Sequence, residues 1–423
     1  MMYKKMRRRK RRKTRKSIEP KVLTFKKLKK KIVFFVMDGM ADLPINNKTP
    51  LSEAKKPNLD WLTRNGVSGE ILAVEKKTWS ELAHASISHV ANFSLLGYDP
   101  KQYYIRRGPI EVVGSDQPYE NGHLAMRCNF ANIDKEGVLL DRRVGRNSLG
   151  LSEISRYINE NVDIGAPFIF RQTFGHRAVL VIKENLDDNI TDSDPKVAGE
   201  KVRKVLPVTK EAEESARLVQ SFIDKSRSFI EFHPSNELRM KQGLVPANII
   251  LTREAGNRLP VIKSFLKRNR LNRAVCISEN GVMKGSCLLA GFDSITVPEL
   301  KLDSYLKFIF DNIVDALAEY DMVYVHIKIL DEPGHDGDFH LKRSILEKID
   351  EKMEIFRNFD GIVIVTCDHI TACKTRRHEW GPVPITIYGK GKDTVERFDE
   401  FSVKKGRLGI INGKKLWKFI FGK

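Results

Sequence analysis

Acidic and imidazole side chains accompany four hydrophobic segments, each of which predicts a buried strand. They are Asp38 after KIVFFVM, Asp331 and His335 after MVYVHIKIL, Asp368 and His369 after GIVIVTC, and His378 before PVPITIYG. The carboxyl ends of parallel strands meet at one edge of a sheet, so we expect these groups to form one cluster. Carboxylate and imidazole ligands without thiolates suit Mn²⁺, Mg²⁺ or Zn²⁺. Six ligands are more than one ion usually takes, and the sequence therefore predicts two ions.

Each member of this cluster also has a simpler interpretation. Asp38-Gly39 is compatible with an ordinary turn, Asp368-His369 with a cap and a surface histidine, and His378 with an exposed side chain. Their shared placement favours the metal hypothesis, because burying several carboxylates and imidazoles together is costly unless cations pair with them. The nearby Asp336 and Asp338 are expected to remain outside the ligand set.

Ser88 is a candidate nucleophile. The segment ISHVANFSLLGYDP predicts a helix that begins near Ser88 and ends at Gly97. A serine hydroxyl there meets backbone N–H groups that favour an anion, and coordination by a metal would ease loss of its proton. The alternative is an ordinary helix-capping serine.

Arginines are concentrated at predicted turns and strand ends in DRRVGR (141–146), in GHR (175–177) and at Arg253. Guanidinium groups bind carboxylate and phosphate bidentately, which suggests a substrate that carries both groups. Surface ion pairs are the simpler interpretation of any one arginine. The chain contains neither a GxxxxGK[ST] loop nor a GxGxxG motif, so the sequence supports neither a P-loop enzyme nor a dinucleotide-dependent dehydrogenase.

Positioning these groups requires a sheet with helices between its strands. After residue 240, Val- and Ile-rich segments alternate with amphipathic helices, which is typical of an α/β domain with a mostly parallel sheet. The middle of the chain instead predicts antiparallel strands and a helix, which indicates an inserted α+β domain. The predicted division is a basic tail over 1–30, a first part of the main domain over 31–109, an insertion over 110–240 and a second part over 241–423. NIILT (248–252) is expected to open this second part.

Composition and charge exclude several classes of protein. The 423 residues are 41% hydrophobic and 30% charged, which excludes a wholly disordered chain. No apolar run reaches the roughly 18–20 residues of a membrane span, and we expect neither a span nor a secretory signal. The net charge of +20 is concentrated in residues 1–31, which contain 17 Lys or Arg and one acid. We expect the 1–30 tail to be disordered, and either solvated or in weak contact with nucleic acid or an anionic surface.

The five cysteines are scattered and form no CxxC pair. This pattern indicates a reducing, cytoplasmic compartment and argues against a disulfide framework.

Taken together, these segments resemble the cofactor-independent phosphoglycerate mutases of archaeal type, within the alkaline phosphatase-like metalloenzyme superfamily. The resemblance runs from about Lys31 to the C-terminus and rests on VMDGMADLP, SHVANFSLLGYDP, RCNF, DRRVGR, GHRAVLVI, DSDP, DEPGHDGDF, CDH and HEWGPVP. It implies an alkaline phosphatase-like α/β fold with an inserted α+β domain that closes over the substrate. It also implies interconversion of 3- and 2-phosphoglycerate through a phosphoserine, independent of 2,3-bisphosphoglycerate, in glycolysis and gluconeogenesis.

The resemblance also assigns roles to matching positions. The ligands of one metal match Asp38, Ser88, Asp368 and His369, and those of the other match Asp331, His335 and His378. Ser88 matches the nucleophile, and Asp141 resembles an acid/base group. The substrate-binding positions match Arg142, Arg143, Arg146, Arg177, Arg253 and Arg268, the last standing where relatives carry a lysine. The expected ions are two Mn²⁺, with Mg²⁺, Zn²⁺ or Co²⁺ as alternatives, and the substrate is a small phosphorylated hydroxy acid.

Two departures from the family pattern leave other functions open. His89 stands where the family usually has Asp, and Glu379-Trp380-Gly381 replaces smaller and acidic residues. One alternative is a metal-dependent phosphatase, or a phosphotransferase similar to homoserine kinase, acting on another small substrate. A second, from a different class, is a nucleic-acid-binding protein whose metal domain is inactive. The sequence does not indicate an oligomeric state.

Overall fold

The computed structural model of the protein describes residues 30–82, 87–102 and 106–422. Residues 1–29 of the basic tail, and the predictions for them, therefore lie outside the described part. The strands are β1 (Lys31–Met37), β2 (Gly66–Ile71), β3 (His123–Ile133), β4 (Leu139–Asp141), β5 (Phe168–Phe174), β6 (Arg177–Asn185), β7 (Ile249–Gly256), β8 (Ala274–Ser278), β9 (Asp293–Thr296), β10 (Met322–Ile327), β11 (Gly361–Thr366), β12 (Ile370–Ala372), β13 (Arg377–Glu379), β14 (Val383–Tyr388) and β15 (Ile410–Ile411).

Helices connect most of these strands. The α-helices are α1 (Pro50–Glu53), α2 (Pro57–Arg64), α3 (Lys76–Leu82), α4 (Ile87–Leu95), α5 (Arg107–Val113), α6 (Leu151–Asn161), α7 (Glu213–Ile230), α8 (Pro234–Lys241), α9 (Phe265–Asn269), α10 (Val282–Ala290), α11 (Leu302–Glu319), α12 (Asp331–Asp336), α13 (Phe339–Lys352) and α14 (Gly413–Phe421). Short 3₁₀ helices cover Val144–Arg146, Lys210–Ala212, Met353–Phe356 and Val403–Lys405. Within the described ranges, no helix combines the length and the apolar character that crossing a bilayer requires.

The larger sheet has eight strands in the order β15-β2-β14-β11-β1-β10-β8-β9. The five consecutive strands β11, β1, β10, β8 and β9 are parallel, and β14 runs antiparallel to both of its neighbours. Central strand β1 buries six consecutive side chains, because other strands flank it and helices cover both faces of the sheet. The predicted mostly parallel α/β sheet is confirmed.

A second, antiparallel sheet lies within the middle of the chain. Strand β3 pairs with β4, β6 and β7, and β5 pairs with the far side of β6. Helices α6 and α7 contribute buried apolar side chains to a separate core on this sheet.

The structure corrects one strand assignment. NIILT was expected to open the second part of the main domain, but β7 pairs antiparallel with β3 in the inserted sheet. The expected boundary at residue 240 therefore falls inside the inserted unit. The physical reason is that an apolar run predicts a buried strand without specifying its partner, and the partner here lies about 120 residues earlier in the chain.

Candidate active site

Three neighbouring strands deliver the predicted cluster to one edge of the large sheet. Strand β1 pairs with β10 on one side and β11 on the other, all parallel. Asp38 directly follows β1, Asp331 begins α12 after β10, and Asp368 comes two residues after β11. Ser88 lies in the first turn of α4 and faces the same edge. The tertiary structure thus joins side chains that are hundreds of residues apart.

The sharp turn after β1 depends on Gly39. Its φ of +68° is a left-handed conformation that favours glycine. A Cβ atom at this position would lie 2.7 Å from Thr371 Oγ1 and 2.9 Å from Asp331 Cα. Glycine therefore lets three chain segments approach closely enough to share a site.

The first group of side chains surrounds His369. Its Nε2 atom lies 3.1 Å from Ser88 Oγ, 3.2 Å from Asp38 Oδ1 and 3.4 Å from Asp368 Oδ2. Asp38, Asp368 and His369 form one of two groups of described residues that could hold a metal ion. These four residues are the set that the resemblance assigned to one metal.

The second group contains two histidines and one aspartate. His335 Nε2 lies 3.0 Å from His378 Nε2, and Asp331 Oδ1 lies 3.6 Å and 3.3 Å from these two nitrogens. The rings of His369 and His378 stack with centroids 3.9 Å apart. Asp331, His369 and His378 form the other candidate metal group, so His369 lies between the two sets.

This arrangement fits divalent cations. Ligand atoms about 2.0–2.2 Å from one ion lie about 3.0–3.5 Å from one another, close to the spacings in both groups. Asp38 Oδ1 is buried and accepts no hydrogen bond from any described residue. Burial, together with the charges of Asp38 and Asp331, raises the pKa of Asp368 well above its usual value. A cation would relieve this repulsion.

Asn92 was missed by the sequence analysis. Its amide nitrogen donates to Asp368 Oδ2 (3.2 Å) and to the backbone carbonyl of Ser88 (2.8 Å), and its carbonyl oxygen accepts from the Tyr324 hydroxyl. Asn92 follows Ser88 by one helical turn in SHVAN, and this spacing was the available signal. Asn92 therefore orients the candidate nucleophile and a candidate ligand together.

A cavity of about 310 Å³ opens beside the cluster, and Asp38, Ser88, Asp331, His335 and His378 belong to its wall. Four of the predicted substrate-binding arginines also line it. They are Arg142, Arg143, Arg177 and Arg253. Further cationic residues that the sequence analysis did not assign complete this wall: Arg107, Arg127, Lys196 and Lys328. The cavity therefore joins the metal candidates to a strongly basic surface, most of which the inserted unit supplies.

The inserted sheet presents these arginines from neighbouring strands. Arg127 on β3 lies directly opposite Arg253 on β7, and Asn129 lies opposite Arg177 on β6. Like charges in directly opposed positions destabilise a sheet, so this pattern indicates an anionic ligand. The Nε atoms of Arg127, Arg177 and Arg253 are buried and have no hydrogen-bond partner among the described residues. The signal in the sequence was the alternation in RCNF, which places Arg127 and Asn129 on one face.

Acidic groups hold some of these arginines in place. Buried Asp194, from the DSDP segment, accepts hydrogen bonds from Arg142 Nε (2.9 Å) and Nη2 (2.6 Å) and lies 3.7 Å from Arg253 Nε. Arg107 Nε donates to Glu111 Oε2 (2.8 Å). Burial opposes ionisation of Glu111, but Arg107 and Arg127 hold its pKa well below the usual value. The pKa of the Arg127 guanidinium is lowered, mainly by burial and also by the like charges of Arg107 and Arg253.

Among the residues predicted to bind substrate or to transfer protons, three do not line this cavity. Both carboxylate oxygens of Asp141 accept backbone N–H groups of its own loop, from Arg143 (2.7 Å) and Gly145 (2.9 Å). Arg146 donates to both oxygens of Asp336 at 2.9 Å and lines a neighbouring cleft of about 200 Å³.

Arg268 is the third, and here the structure corrects the sequence-based assignment. Its guanidinium donates to the backbone carbonyls of Leu96 and Gly97 at the end of α4 and stacks 4.6 Å from the ring of Tyr98. A position matched along the chain carries no information about side-chain direction, and this arginine caps a helix instead of entering the cavity.

The sequence and the fold of this chain are similar to those of known proteins. A family model described as 2,3-bisphosphoglycerate-independent phosphoglycerate mutase matches residues 78–236. An enzyme of that name from Methanosphaera stadtmanae is 36% identical over 399 residues, covering 90% of this chain and 95% of the relative. The solved cofactor-independent phosphoglycerate mutase from Thermoplasma acidophilum is 33% identical, with a TM-score of 0.59 over 93% of this chain and 99% of that one. A Pyrococcus horikoshii protein, 24% identical, shares the fold with a TM-score of 0.73, covering 93% of this chain and 98% of its own.

Proposed function

The chain belongs to the 2,3-bisphosphoglycerate-independent phosphoglycerate mutases, and on this premise we propose that it interconverts 3-phosphoglycerate and 2-phosphoglycerate through a phosphoserine on Ser88. The observation that carries the proposal is the position of the Ser88 hydroxyl. It lies 3.1 Å from His369 Nε2, among the candidate metal ligands, and faces the arginine-lined cavity.

We propose two divalent cations, Mn²⁺ by family resemblance. Asp38, Ser88, Asp368 and His369 would hold one, and Asp331, His335 and His378 would hold the other. When bound, such ions supply positive charge at the phosphoryl oxygens and favour the ionised form of a serine hydroxyl.

The reaction at Ser88 has two halves. Ser88 Oγ, after its proton has left to solvent, attacks the phosphorus of 3-phosphoglycerate; the bond from phosphorus to the C3 oxygen breaks and that oxygen takes a proton from an acid group, which yields phosphoserine and glycerate. The C2 hydroxyl of glycerate then gives its proton to the same group, now a base, and attacks the phosphoserine; the bond from phosphorus to Ser88 Oγ breaks, which restores the Ser88 alkoxide and releases 2-phosphoglycerate. Phosphorus stays within the site throughout, so no second phosphorylated molecule is required.

The basic wall retains glycerate between the two halves. The Nε groups of Arg127, Arg177 and Arg253 have no hydrogen-bond partner among the described residues, so they can donate to a carboxylate or to phosphoryl oxygens. These arginines belong to the inserted unit, whereas Ser88 and the metal candidates belong to the main domain. We propose that the insertion closes over the substrate and excludes water, because water would hydrolyse the phosphoserine.

Proton transfer requires an acid/base group that reaches the glycerate oxygens. The assignment of Asp141 to this role stays a prediction, since both its oxygens are occupied by loop backbone N–H groups. Glu279 lines the cavity, and its Oε2 is buried without a hydrogen-bond partner among the described residues. Burial raises the pKa of Glu279, which favours a protonated carboxyl that can donate to an alkoxide.

The test supplies the full-length protein with 3-phosphoglycerate and Mn²⁺, without 2,3-bisphosphoglycerate, in ¹⁸O-labelled water. We expect ³¹P NMR to show 2-phosphoglycerate without ¹⁸O in its phosphoryl group. The variant Ser88→Ala should be inactive. Ser94→Ala, on the same helix but outside the cavity wall, should retain activity.

Three results would contradict the proposal. Free phosphate containing ¹⁸O as the main product would indicate a phosphatase. Full mutase turnover by Ser88→Ala would exclude the phosphoserine. Absence of any turnover, combined with phosphoryl transfer to homoserine, would favour the phosphotransferase alternative.

A further inference from the structure

Thr371 is a buried residue that connects the two candidate metal groups. Its hydroxyl donates to Asp331 Oδ1 (2.8 Å) and lies 3.1 Å from His369 Nδ1. Asp331 belongs to one ligand set and His369 is central to the other. We propose that the Thr371 hydroxyl is a positioning group that orients one ligand of each metal and so links occupancy of the two sites. The inference rests on the two-metal chemistry proposed above.

The direction of the hydrogen bonds follows from the chemistry of the partners. An ionised aspartate only accepts, so the single hydroxyl proton of Thr371 is donated to Asp331. The hydroxyl oxygen then accepts from His369, which places the ring proton on Nδ1. His369 Nε2 is left with its lone pair, and this atom faces Ser88 Oγ and Asp38 Oδ1. One hydroxyl therefore selects the tautomer that binds a cation on the Nε2 side.

The surroundings of Thr371 keep its side chain in one orientation. Its backbone N–H donates to the Ala41 carbonyl (3.1 Å), and its own carbonyl accepts from Lys342 Nζ (2.8 Å). Thr371 pairs directly with His378 across β12 and β13, which brings a third metal candidate next to it. The side chain is fully buried.

The methyl group of Thr371 has a separate role. A Cβ atom added to Gly334 would lie 2.7 Å from Thr371 Cγ2, so this methyl packs against the backbone of α12. Helix α12 carries both Asp331 and His335. The methyl group packs against the helix and the hydroxyl orients the ligands. Substitution by valine removes only the hydroxyl, and substitution by serine removes only the methyl group.

The experiment measures Mn²⁺ binding by isothermal titration calorimetry on the metal-free, full-length protein without substrate. Thr371→Val, which keeps the shape and loses the hydroxyl, should weaken binding at both sites about 10- to 100-fold, as is usual for loss of a group that orients a metal ligand. Thr371→Ser should bind within about threefold of the parent, because it keeps the hydroxyl. The matched control is Thr366→Val, whose buried hydroxyl donates to the Pro384 carbonyl (2.8 Å) and contacts no candidate ligand. This control should bind Mn²⁺ like the parent.

A second measurement does not depend on the valine variant folding. In metal-free protein labelled with ¹⁵N-histidine, the ring-nitrogen shifts of His369 should show a proton on Nδ1 in both the parent and Thr371→Ser. The proposal is overturned if the proton is on Nε2, if Thr371→Val binds Mn²⁺ like Thr366→Val, or if it weakens only one site. Normal Mn²⁺ binding by the parent without mutase turnover would contradict the proposed function and leave this inference intact.

Discussion

His335 Nε2 and His378 Nε2 lie 3.0 Å apart, and both face Asp331 Oδ1. His335 Nδ1 lies 3.0 Å from the Arg376 carbonyl, which requires a proton on that nitrogen and leaves Nε2 with a lone pair. Two imidazole nitrogens and a carboxylate oxygen therefore converge, as a metal site demands.

Removal of one of these imidazoles should abolish one metal site and leave the other. We expect His335→Gln to weaken Mn²⁺ binding at that site by at least about 100-fold, because the substitution removes a direct ligand. Loss of a group that only orients a ligand usually weakens binding by about 10- to 100-fold. Two-site calorimetry measures the effect. His340→Gln, an exposed histidine on α13, is the control. Unchanged binding of two ions by His335→Gln would contradict the assignment.

Arg268 and Arg177 should respond differently to truncation. Arg268→Ala removes a helix cap, so we expect the free energy of unfolding to fall by about 1–3 kcal/mol while KM for 3-phosphoglycerate is unchanged. Arg177→Ala should raise KM about 10- to 100-fold, because Arg177 lines the cavity and its loss would remove one or two hydrogen bonds to a charged group of the substrate. Urea unfolding and steady-state kinetics separate the two effects. Equal increases in KM would return Arg268 to the substrate site.

Arg239 stabilises the loop that carries candidate substrate-binding arginines. Its fully buried guanidinium donates to the carbonyls of Val144 (2.8 Å), Asn147 (3.1 Å) and Leu149 (2.7 Å). The φ of Val144 is +41°, a strained value for a β-branched residue, and strained segments persist only where their surroundings hold them.

We expect Arg239→Met to lower kcat/KM at least about tenfold, mainly through KM, and to reduce the free energy of unfolding by about 3 kcal/mol, since several buried carbonyls lose their donor. Arg217→Met, at an exposed ion pair on α7, is the control and should change stability by less than about 1 kcal/mol. A purely structural role for Arg239 would lower stability with KM unaltered.

Glu279 and Asp141 are the two candidates for the group that transfers protons to and from glycerate, and their variants distinguish them. Because Glu279 lines the cavity and Asp141 does not, we expect Glu279→Gln to lower kcat about 10²- to 10⁴-fold, and Asp141→Asn to lower it less. Burial raises the pKa of Glu279, so a protonated acid persists to higher pH, and Glu279→Gln should remove the alkaline fall in the kcat profile. A larger loss in Asp141→Asn would support the sequence-based prediction.

Glu400 should make stability depend on pH. Its carboxylate accepts from the Thr49 hydroxyl (2.6 Å) and the Asp42 backbone N–H (3.1 Å), and burial raises its pKa from 4.5 to about 7. The folded protein therefore binds this proton more tightly than the unfolded chain. The resulting stabilisation is complete below the unfolded pKa and is lost as the pH rises through about 7.

Glu400→Gln should remove this dependence. Relative to the parent, we expect the variant to gain about 1–2 kcal/mol in free energy of unfolding between about pH 5.5 and about pH 8.5. Chemical denaturation at both pH values gives the comparison. Parallel changes in parent and variant would show that Glu400 does not titrate in this range.

Much of the site could be predicted from the residues themselves. Asp38, Asp331 and Asp368 follow apolar segments whose composition indicates buried strands, and parallel strands deliver their carboxyl ends to a common edge. This rule places the carboxyl ends at one edge in any strand order, whereas the short distances between the side chains follow from the position of β1 between β10 and β11.

The residues that face one another across the inserted sheet were harder to predict from the sequence. Arg127 and Asn129 alternate on β3, but their opposition to Arg253 and Arg177 depends on register between distant strands. Local periodicity predicts a strand and its faces, whereas register is settled by the packing of the whole sheet. For the same reason β7 was assigned to the other sheet.

By itself, the sequence determined the mostly parallel sheet and predicted the kinds of ligand and a candidate nucleophile, since these follow from side-chain chemistry and from the pattern within single segments. Only the tertiary structure decided that Thr371 lies between Asp331 and His369, that Arg268 caps a helix and that Asp141 binds its own loop. Such outcomes depend on the direction in which each side chain points after segments far apart in the chain have packed, and no short-range pattern encodes that direction.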